Sequence, residues 1–312
     1  MKTILKQLSL LCIGLLFFSF TTVAQENWEI SLPEGSLSGS FMAAPPNKKV
    51  VIIIPGSGPV DRDGNSGKSL QSNSYAMLAE QLAQADIASL RFDKRGVGKS
   101  VFENLQEDSL RIENFADDVV LWINKIKETL SDSTHIYLLG HSEGSLIAAM
   151  VAQKVAVDGI ISAAGAGKSA AEILKEQFAK QPISLREDAN VIIDSLVQGY
   201  TVNLVNPYLQ SVFRPSVQPY LISWFVKNPA EIYQQLSCPK LFLQGDADLQ
   251  VSPQEVYLLS ADSTQIHLVE NMNHLMKQVQ NQDENIDSYI NPKYPLSEKM
   301  MKILLQFITT TP

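Results

Sequence analysis

The sequence predicts an α/β fold, a mostly parallel sheet with helices packed on both faces. Three observations lead there. Short β-branched or leucine-rich runs, such as Val50 to Ile54 and Ile136 to Leu139, are brief and apolar throughout, as strands buried on both faces are. Stretches with helical spacing separate most of these runs. Turn residues, glycine above all, mark the junctions.

In chain order, Lys2 and Lys6 precede an apolar core from Leu8 to Phe20, and Thr22-Val23-Ala24 ends in a small residue. This is the pattern of a secretory signal peptide over residues 1–24, cleaved before Gln25. The apolar core is shorter than the ~20 residues that span a bilayer as a helix. Cys12 follows bulky Leu11, unlike the small residue of a lipoprotein signal. Export to the periplasm or the outside is therefore expected, without stable membrane insertion. The mature chain keeps only Cys238, so its stability must come from the core and not from an internal disulfide.

Trp28 to Leu32 and Leu37 to Phe41 suggest an antiparallel opening hairpin. Strands are predicted over 50–54, 87–92, 136–139, 158–163, 239–244 and 265–269, with helices over 74–85, 114–129, 143–154, 253–260 and 296–308. The long interval 165–236 offers helix-like segments, Ala170 to Lys180 and Leu185 to Leu196. A stretch rich in proline and aromatics follows, with Tyr208, Phe213, Tyr220, Trp224 and Phe225. A connection of that length without strands reads as an inserted helical cap. The expected organisation is a core over 25–164, a cap over 165–236 and the rest of the core over 237–312.

With 312 residues, 45% of them hydrophobic and 19% charged, the chain can bury a full core. A net charge of -8 and the lack of a dense Lys/Arg block argue against nucleic acid as a partner. Two phosphate-loop look-alikes, Gly167-Lys168-Ser169 and Gly98-Lys99-Ser100, fail because Ser162 and Asp93 stand where the first glycine is required.

The chemistry begins at Gly140-His141-Ser142-Glu143-Gly144, directly after an apolar strand. This G-x-S-x-G pentapeptide has the strand-to-helix context of a nucleophile elbow, in which a sharp turn lifts the serine hydroxyl clear of the sheet. The bland alternative is a tight turn with a serine cap. Two aspartates, Asp246 and Asp248, follow the turn glycine Gly245, and Asp246 could serve only to shape that turn. Of the four histidines, His135 precedes a strand and His141 is the variable elbow position. His267 lies within an alternating strand, and His274 follows that strand in a polar loop. Val50 to Ile54 runs into Pro55-Gly56-Ser57-Gly58-Pro59, where glycines let backbone approach a ligand.

Taken together, these motifs resemble the α/β-hydrolase superfamily over nearly all of the mature chain. Arg91 to Ser100 is similar to the D-x-R-G-x-G-x-S segment after the fourth strand of many members. Pro55 to Asn65 is similar to the oxyanion loop of bacterial carboxylesterases related to serine aminopeptidase-type hydrolases. The resemblance implies the chain order serine, acid, histidine. Ser142 is then the nucleophile and His274 the base. Asp248 is preferred to Asp246 as the acid, because Gly-x-x-Asp-x-x-Val matches the family's acid loop. The backbone N–H groups of Ser57 (with Gly58 as its neighbour) and Glu143 are the implied oxyanion donors. No HGGG loop is present, unlike lipases, and Asp61, Arg62, Asp63 and Arg95 are expected in buried ion pairs of the loops.

The expectation is an exported serine hydrolase cleaving small to medium carboxylic esters without metal or organic cofactor. A serine peptidase or amidase on the same fold is the first alternative, and a non-catalytic ligand-binding relative the second. The expected partner is a small ester or amide substrate.

Overall fold

The computed structural model describes residues 25–44 and 48–311. The segment read as a signal peptide, residues 1–24, lies outside the described residues. Among the described residues ten strands occur: β1 (Gln25–Leu32), β2 (Gly35–Met42), β3 (Lys49–Ile54), β4 (Asn65–Ser66), β5 (Leu70–Gln71), β6 (Ala88–Phe92), β7 (His135–His141), β8 (Gly159–Ala163), β9 (Lys240–Gly245) and β10 (Ile266–Val269). Eight of them form one sheet in the order β1-β2-β6-β3-β7-β8-β9-β10, while β4 and β5 pair as a small separate ribbon. β1 and β2 form the antiparallel hairpin that their alternation suggested, and β2 also runs antiparallel to β6. Every pairing from β6 to β10 is parallel.

The continuous apolar run of β3 shows why this sheet is covered on both sides. Val50, Ile52 and Ile54 face one core cluster, and Val51 and Ile53 face the other. Alternate residues of a strand point to opposite faces, so a strand apolar at every position needs two covers. On the first face lie α2 (Ile112–Thr129) and α3 (Glu143–Lys154). On α2, Ile112, Phe115, Ala116, Val119, Trp122, Ile123 and Ile126 recur at three- and four-residue spacing and are all buried. On the opposite face lie α1 (Ser74–Gln84), through Tyr75, Leu78, Ala79 and Leu82, and a C-terminal helix at Glu298–Thr310, through Met300, Met301, Leu304 and Ile308. Ser297 caps that last helix by accepting the N–H of Met300.

Between β8 and β9 the chain forms α4 (Ala170–Phe178), α5 (Ile183–Val197), α6 (Gln210–Phe213), α7 (Gln218–Phe225) and α8 (Pro229–Gln234). Ser169 opens α4 with a reciprocal capping pair to Glu172. The proline-rich stretch resolves into short helices because Pro207, Pro215, Pro219 and Pro229 occupy first turns, where the missing N–H costs nothing. Helices α4 to α7 share a cluster built on Ile192, Ile193, Leu196, Phe213, Leu221 and Phe225, whereas α8 packs through Tyr233 into the core beside α3. Two further short helices complete the chain before the C-terminal helix: α9 (Val256–Leu259) after β9 and α10 (Gln282–Asp287) after β10, the C-terminal helix being α11. The sequence reading did not anticipate α10 or the β4–β5 ribbon, whose strands span only two residues each.

Candidate active site

Ser142 stands at the junction of β7 and α3 with φ 54° and ψ -119°, a region sparsely populated by residues other than glycine and costing of order 1–3 kcal/mol. Its N–H donates to the Ala163 carbonyl at 2.9 Å, which pins the turn to the neighbouring strand β8. A methyl group on Gly140 would collide with the Gly144 carbonyl, and one on Gly144 with the Ile54 carbonyl. The two glycines therefore let α3 start hard against the sheet, and the serine is lifted out of the turn and left half-buried.

The loops after β9 and β10 bring Asp248 and His274 together. His274 Nδ1 and Asp248 Oδ2 are 2.8 Å apart, with both side chains buried. The same Oδ2 accepts from Gln244 Nε2 at 2.9 Å, while Oδ1 accepts from the N–H groups of Gln250 and Val251 at 2.8 and 2.9 Å. Burial alone would raise the Asp248 carboxyl. The adjacent His274 and the two backbone N–H groups outweigh it and hold the group below its usual range. An ionised Asp248 fixes the proton of His274 on Nδ1 and leaves Nε2 as the acceptor. Asp246 does not merely shape its own turn: its carboxylate accepts the N–H of Asn271 at 2.7 Å and joins the two loops.

Ser142 and His274 share the wall of a cavity of about 220 Å³, together with Gly56, Ser57, Ser72, Ser74, Gln250 and Tyr289. Among the described residues no hydrogen bond joins the Ser142 hydroxyl to the imidazole. Such contacts commonly tighten only when substrate is bound. A second cavity of about 330 Å³ meets Ser142 from the side of the inserted helices and includes Ser57, Glu143, Leu146, Ile173, Leu221 and Trp224. Ser57 and Glu143, the expected carriers of the oxyanion donors, thus flank the serine on one wall. Among the described residues neither backbone N–H has a protein acceptor.

Several supporting residues escaped the sequence reading. The Tyr75 hydroxyl accepts the Gly56 N–H at 3.1 Å and lies 2.7 Å from His141 Nδ1. Its own proton therefore goes to Nδ1, so His141 carries hydrogen on Nε2 and donates to the His274 carbonyl at 2.7 Å. Burial, with His274 beside it, pushes the His141 pKa down to about 3. Asn273 is fully satisfied inside the loop that carries His274. Its oxygen accepts from the N–H groups of Leu275 and Lys277, and its amide donates to Asn285 and Ser288. Asn285 in turn donates to the Ala247 carbonyl, one residue before Asp248. Lys94 is also buried, with Nζ donating to the Gly56 carbonyl at 2.7 Å and 3.5 Å from Glu143 Oε1. The only available sequence signal for these groups was that His141 and Lys94 sit inside motifs already recognised.

Ion pairs account for Arg62, Asp63 and Arg95, three of the four loop residues expected to form them. Arg62 grips Asp93 with Nε at 3.1 Å and Nη2 at 2.6 Å, Arg91 pairs with Asp63, and Arg95 with Asp118 and Glu34. Asp61 turns its own loop, accepting the N–H groups of Asp63 and Asn65 instead of pairing with a cation. Among the described residues no cluster of His, Cys, Asp and Glu could hold a metal ion, and no helix is long and apolar enough to cross a membrane.

Comparison with known proteins agrees with this architecture. Esterase EstD of Thermotoga maritima is 27% identical over 263 residues, which is 80% of this chain and 57% of that protein. The chain thus spans little more than half the length of the curated relative it matches. Among solved structures, the alpha/beta hydrolase GrgF from Penicillium sp. sh18 superposes with a TM-score of 0.60 at 15% identity, covering 92% of this chain and 98% of that one. The Pyrococcus furiosus esterase Pf2001 gives a TM-score of 0.58 at 16% identity, covering 93% and 91%. At such identities the likeness speaks to the fold, and the fold is that of the α/β-hydrolases. The profile described as "Serine aminopeptidase, S33" matches residues 65–289, most of the chain, and the chain belongs to that family of α/β serine hydrolases.

Proposed function

We propose that this protein is an exported esterase that cleaves small to medium carboxylic esters through an acyl-enzyme on Ser142. One observation carries the reading: a serine on a strained elbow shares a cavity wall with a histidine whose Nδ1 is held by a buried aspartate. His274 Nε2 takes the hydroxyl proton as Ser142 attacks the ester carbonyl, and Asp248 stabilises the imidazolium that forms. The N–H groups of Ser57 and Glu143 receive the oxyanion. His274 then gives its proton to the departing alcohol. A water molecule, deprotonated by the same ring, attacks the acyl-enzyme and releases the acid.

The two cavities supply a direction for the substrate. His274 must reach the leaving oxygen, so the leaving group occupies the smaller cavity, where Ser72, Ser74, Gln250 and Tyr289 offer polar contacts. The acyl chain then lies in the larger one, against Leu146, Ile173, Leu174, Leu221 and Trp224. Its volume of about 330 Å³ suits a small or medium chain. Export rests on the Lys2/Lys6 start, the apolar Leu8 to Phe20 run and the Thr22-Val23-Ala24 ending.

A second reading, an aminopeptidase or amidase, is favoured by the description of the matching family. Parallel assays with p-nitrophenyl esters of graded acyl length and with aminoacyl p-nitroanilides decide between them. The esterase reading expects kcat/KM for the best ester to exceed that for every amide by orders of magnitude, and the reverse ranking would refute it.

A further inference from the structure

We propose that Lys94 is a positioning residue of the reaction, polarising the Gly56–Ser57 peptide so that its N–H becomes a stronger oxyanion donor. The proposal rests on the Ser142 acyl-enzyme reading above. Its physical basis is that the two ends of a peptide group are electronically joined. A cation bound at the carbonyl oxygen draws electron density through the planar amide, adds double-bond character to C–N and leaves the N–H more positive. Lys94 Nζ sits 2.7 Å from the Gly56 oxygen, and the N–H of that same peptide belongs to Ser57.

The surroundings make this contact strong. Lys94 is 5% exposed, so little water screens it; the same burial lowers its pKa from the ordinary lysine value, and the adjacent Glu143 opposes that fall. Glu143 Oε1, at 3.5 Å, compensates its charge, and the ammonium lies over the Phe115 ring, 5.2 Å from the centroid. Glu143 also carries the other candidate donor on its backbone. One ammonium group thereby joins the peptide bearing one oxyanion donor to the residue bearing the second. The loop presenting Lys94 is itself rigid. Its neighbour Asp93 is held by the Arg62 guanidinium and by the N–H groups of Arg62 and Lys99. On the far side the Gly56 N–H, which belongs to the preceding peptide, is fixed by the Tyr75 hydroxyl, so Gly56 is held on both sides of its Cα.

Filling space on Phe115 is a role that methionine would preserve and charge-assisted polarisation is not, so Lys94→Met separates them. Removing a whole oxyanion donor typically costs 10²–10³ in kcat, so weakening one should cost roughly tenfold or more. For Lys94→Met we expect kcat on a p-nitrophenyl ester to fall at least about tenfold while KM changes less than about twofold. Binding of an alkyl boronic acid, whose anionic tetrahedral adduct on Ser142 mimics the transition state, should weaken by the same factor as kcat/KM. Lys94→Gln, which keeps a neutral donor, should lie between wild type and Lys94→Met and serves alone if the methionine variant does not fold. A kcat within twofold of wild type would overturn the proposal. So would a loss of kcat with unchanged boronate affinity, or a loss shared equally by KM and kcat. The parent reading is judged separately by Ser142→Ala, which must abolish turnover whatever Lys94 does.

Discussion

His141 donates a 2.7 Å hydrogen bond from Nε2 to the carbonyl oxygen of His274, so the elbow that bears Ser142 holds the backbone of His274 directly. Tyr75 and Gly56 extend the chain to the loop carrying Ser57. Three loops that must keep sub-ångström register are thus tied through one buried imidazole. His141→Gln, which can offer a donor but cannot span both partners, should lower kcat roughly tenfold or more with a smaller change in KM. Steady-state kinetics on a purified, folded variant checks it; an unchanged kcat would show the bridge to be dispensable.

The same histidine predicts a pH dependence of stability. Its folded pKa, about 3, lies below the ordinary 6.5, so the unfolded chain binds the extra proton between those values. The stability held by neutral His141 is complete above pH 6.5 and is lost as pH falls toward 3, by up to about 1.4 kcal/mol per pH unit. Denaturant unfolding of wild type and His141→Gln at several pH values tests this. The wild type should show the steeper decline between pH 6 and 4, and parallel slopes would contradict it.

The two aspartates should separate cleanly. Asp248→Asn removes the charge that fixes the His274 tautomer, and a loss on the order of 10⁴ in kcat is expected. Asp246→Asn weakens only an acceptor for the Asn271 N–H and should cost less than about tenfold. Reversed effects in the same ester assay would move the acid to position 246.

Trp224 and Phe225 are adjacent in α7 but differ in what they touch. Trp224 lines the larger cavity, whereas Phe225 is 3% exposed inside the cluster of the inserted helices. Trp224 also packs against the edge of that cluster, so Trp224→Ala should shift the preferred acyl length through kcat/KM and destabilise less than Phe225→Ala. Phe225→Ala should destabilise by about 3–5 kcal/mol and keep the chain-length profile. A screen of acyl lengths beside thermal melts decides, and the opposite assignment would follow if Phe225→Ala alone moved the profile.

The sheet was legible because its strands announce themselves. Val50 to Ile54 is apolar at every position and must be covered twice, and the central residues of β7 (Ile136 to Leu139) and β9 (Leu241 to Leu243) repeat that pattern. The inserted segment was legible only as helical. Its prolines look like breakers in sequence, and only the fold shows them starting helices at Pro215, Pro219 and Pro229. Ser142, Asp248 and His274 could be read because each follows a strand end in a recognisable local pattern. Tyr75, Asn285 and Lys94 could not, since each has a partner far away in the chain: Tyr75 meets His141 across 66 positions, Lys94 meets Glu143 across 49 and Asn285 meets Ala247 across 38. Nothing local distinguishes a tyrosine in the first turn of α1 that will bind the elbow from one that will merely fill the core.

The central claim is that Ser142 is the nucleophile, and covalent capture tests it most directly. The wild-type protein is incubated with a fluorescent alkyl phosphonate, and the labelled peptide is identified by mass spectrometry, beside Ser142→Ala and Asp246→Asn. A single adduct on Ser142 is expected in the wild type and in Asp246→Asn. Ser142→Ala should give none, retaining its fold and losing ester turnover. Labelling of Ser142→Ala at the wild-type rate, or an adduct on a different residue of the wild type, would contradict it.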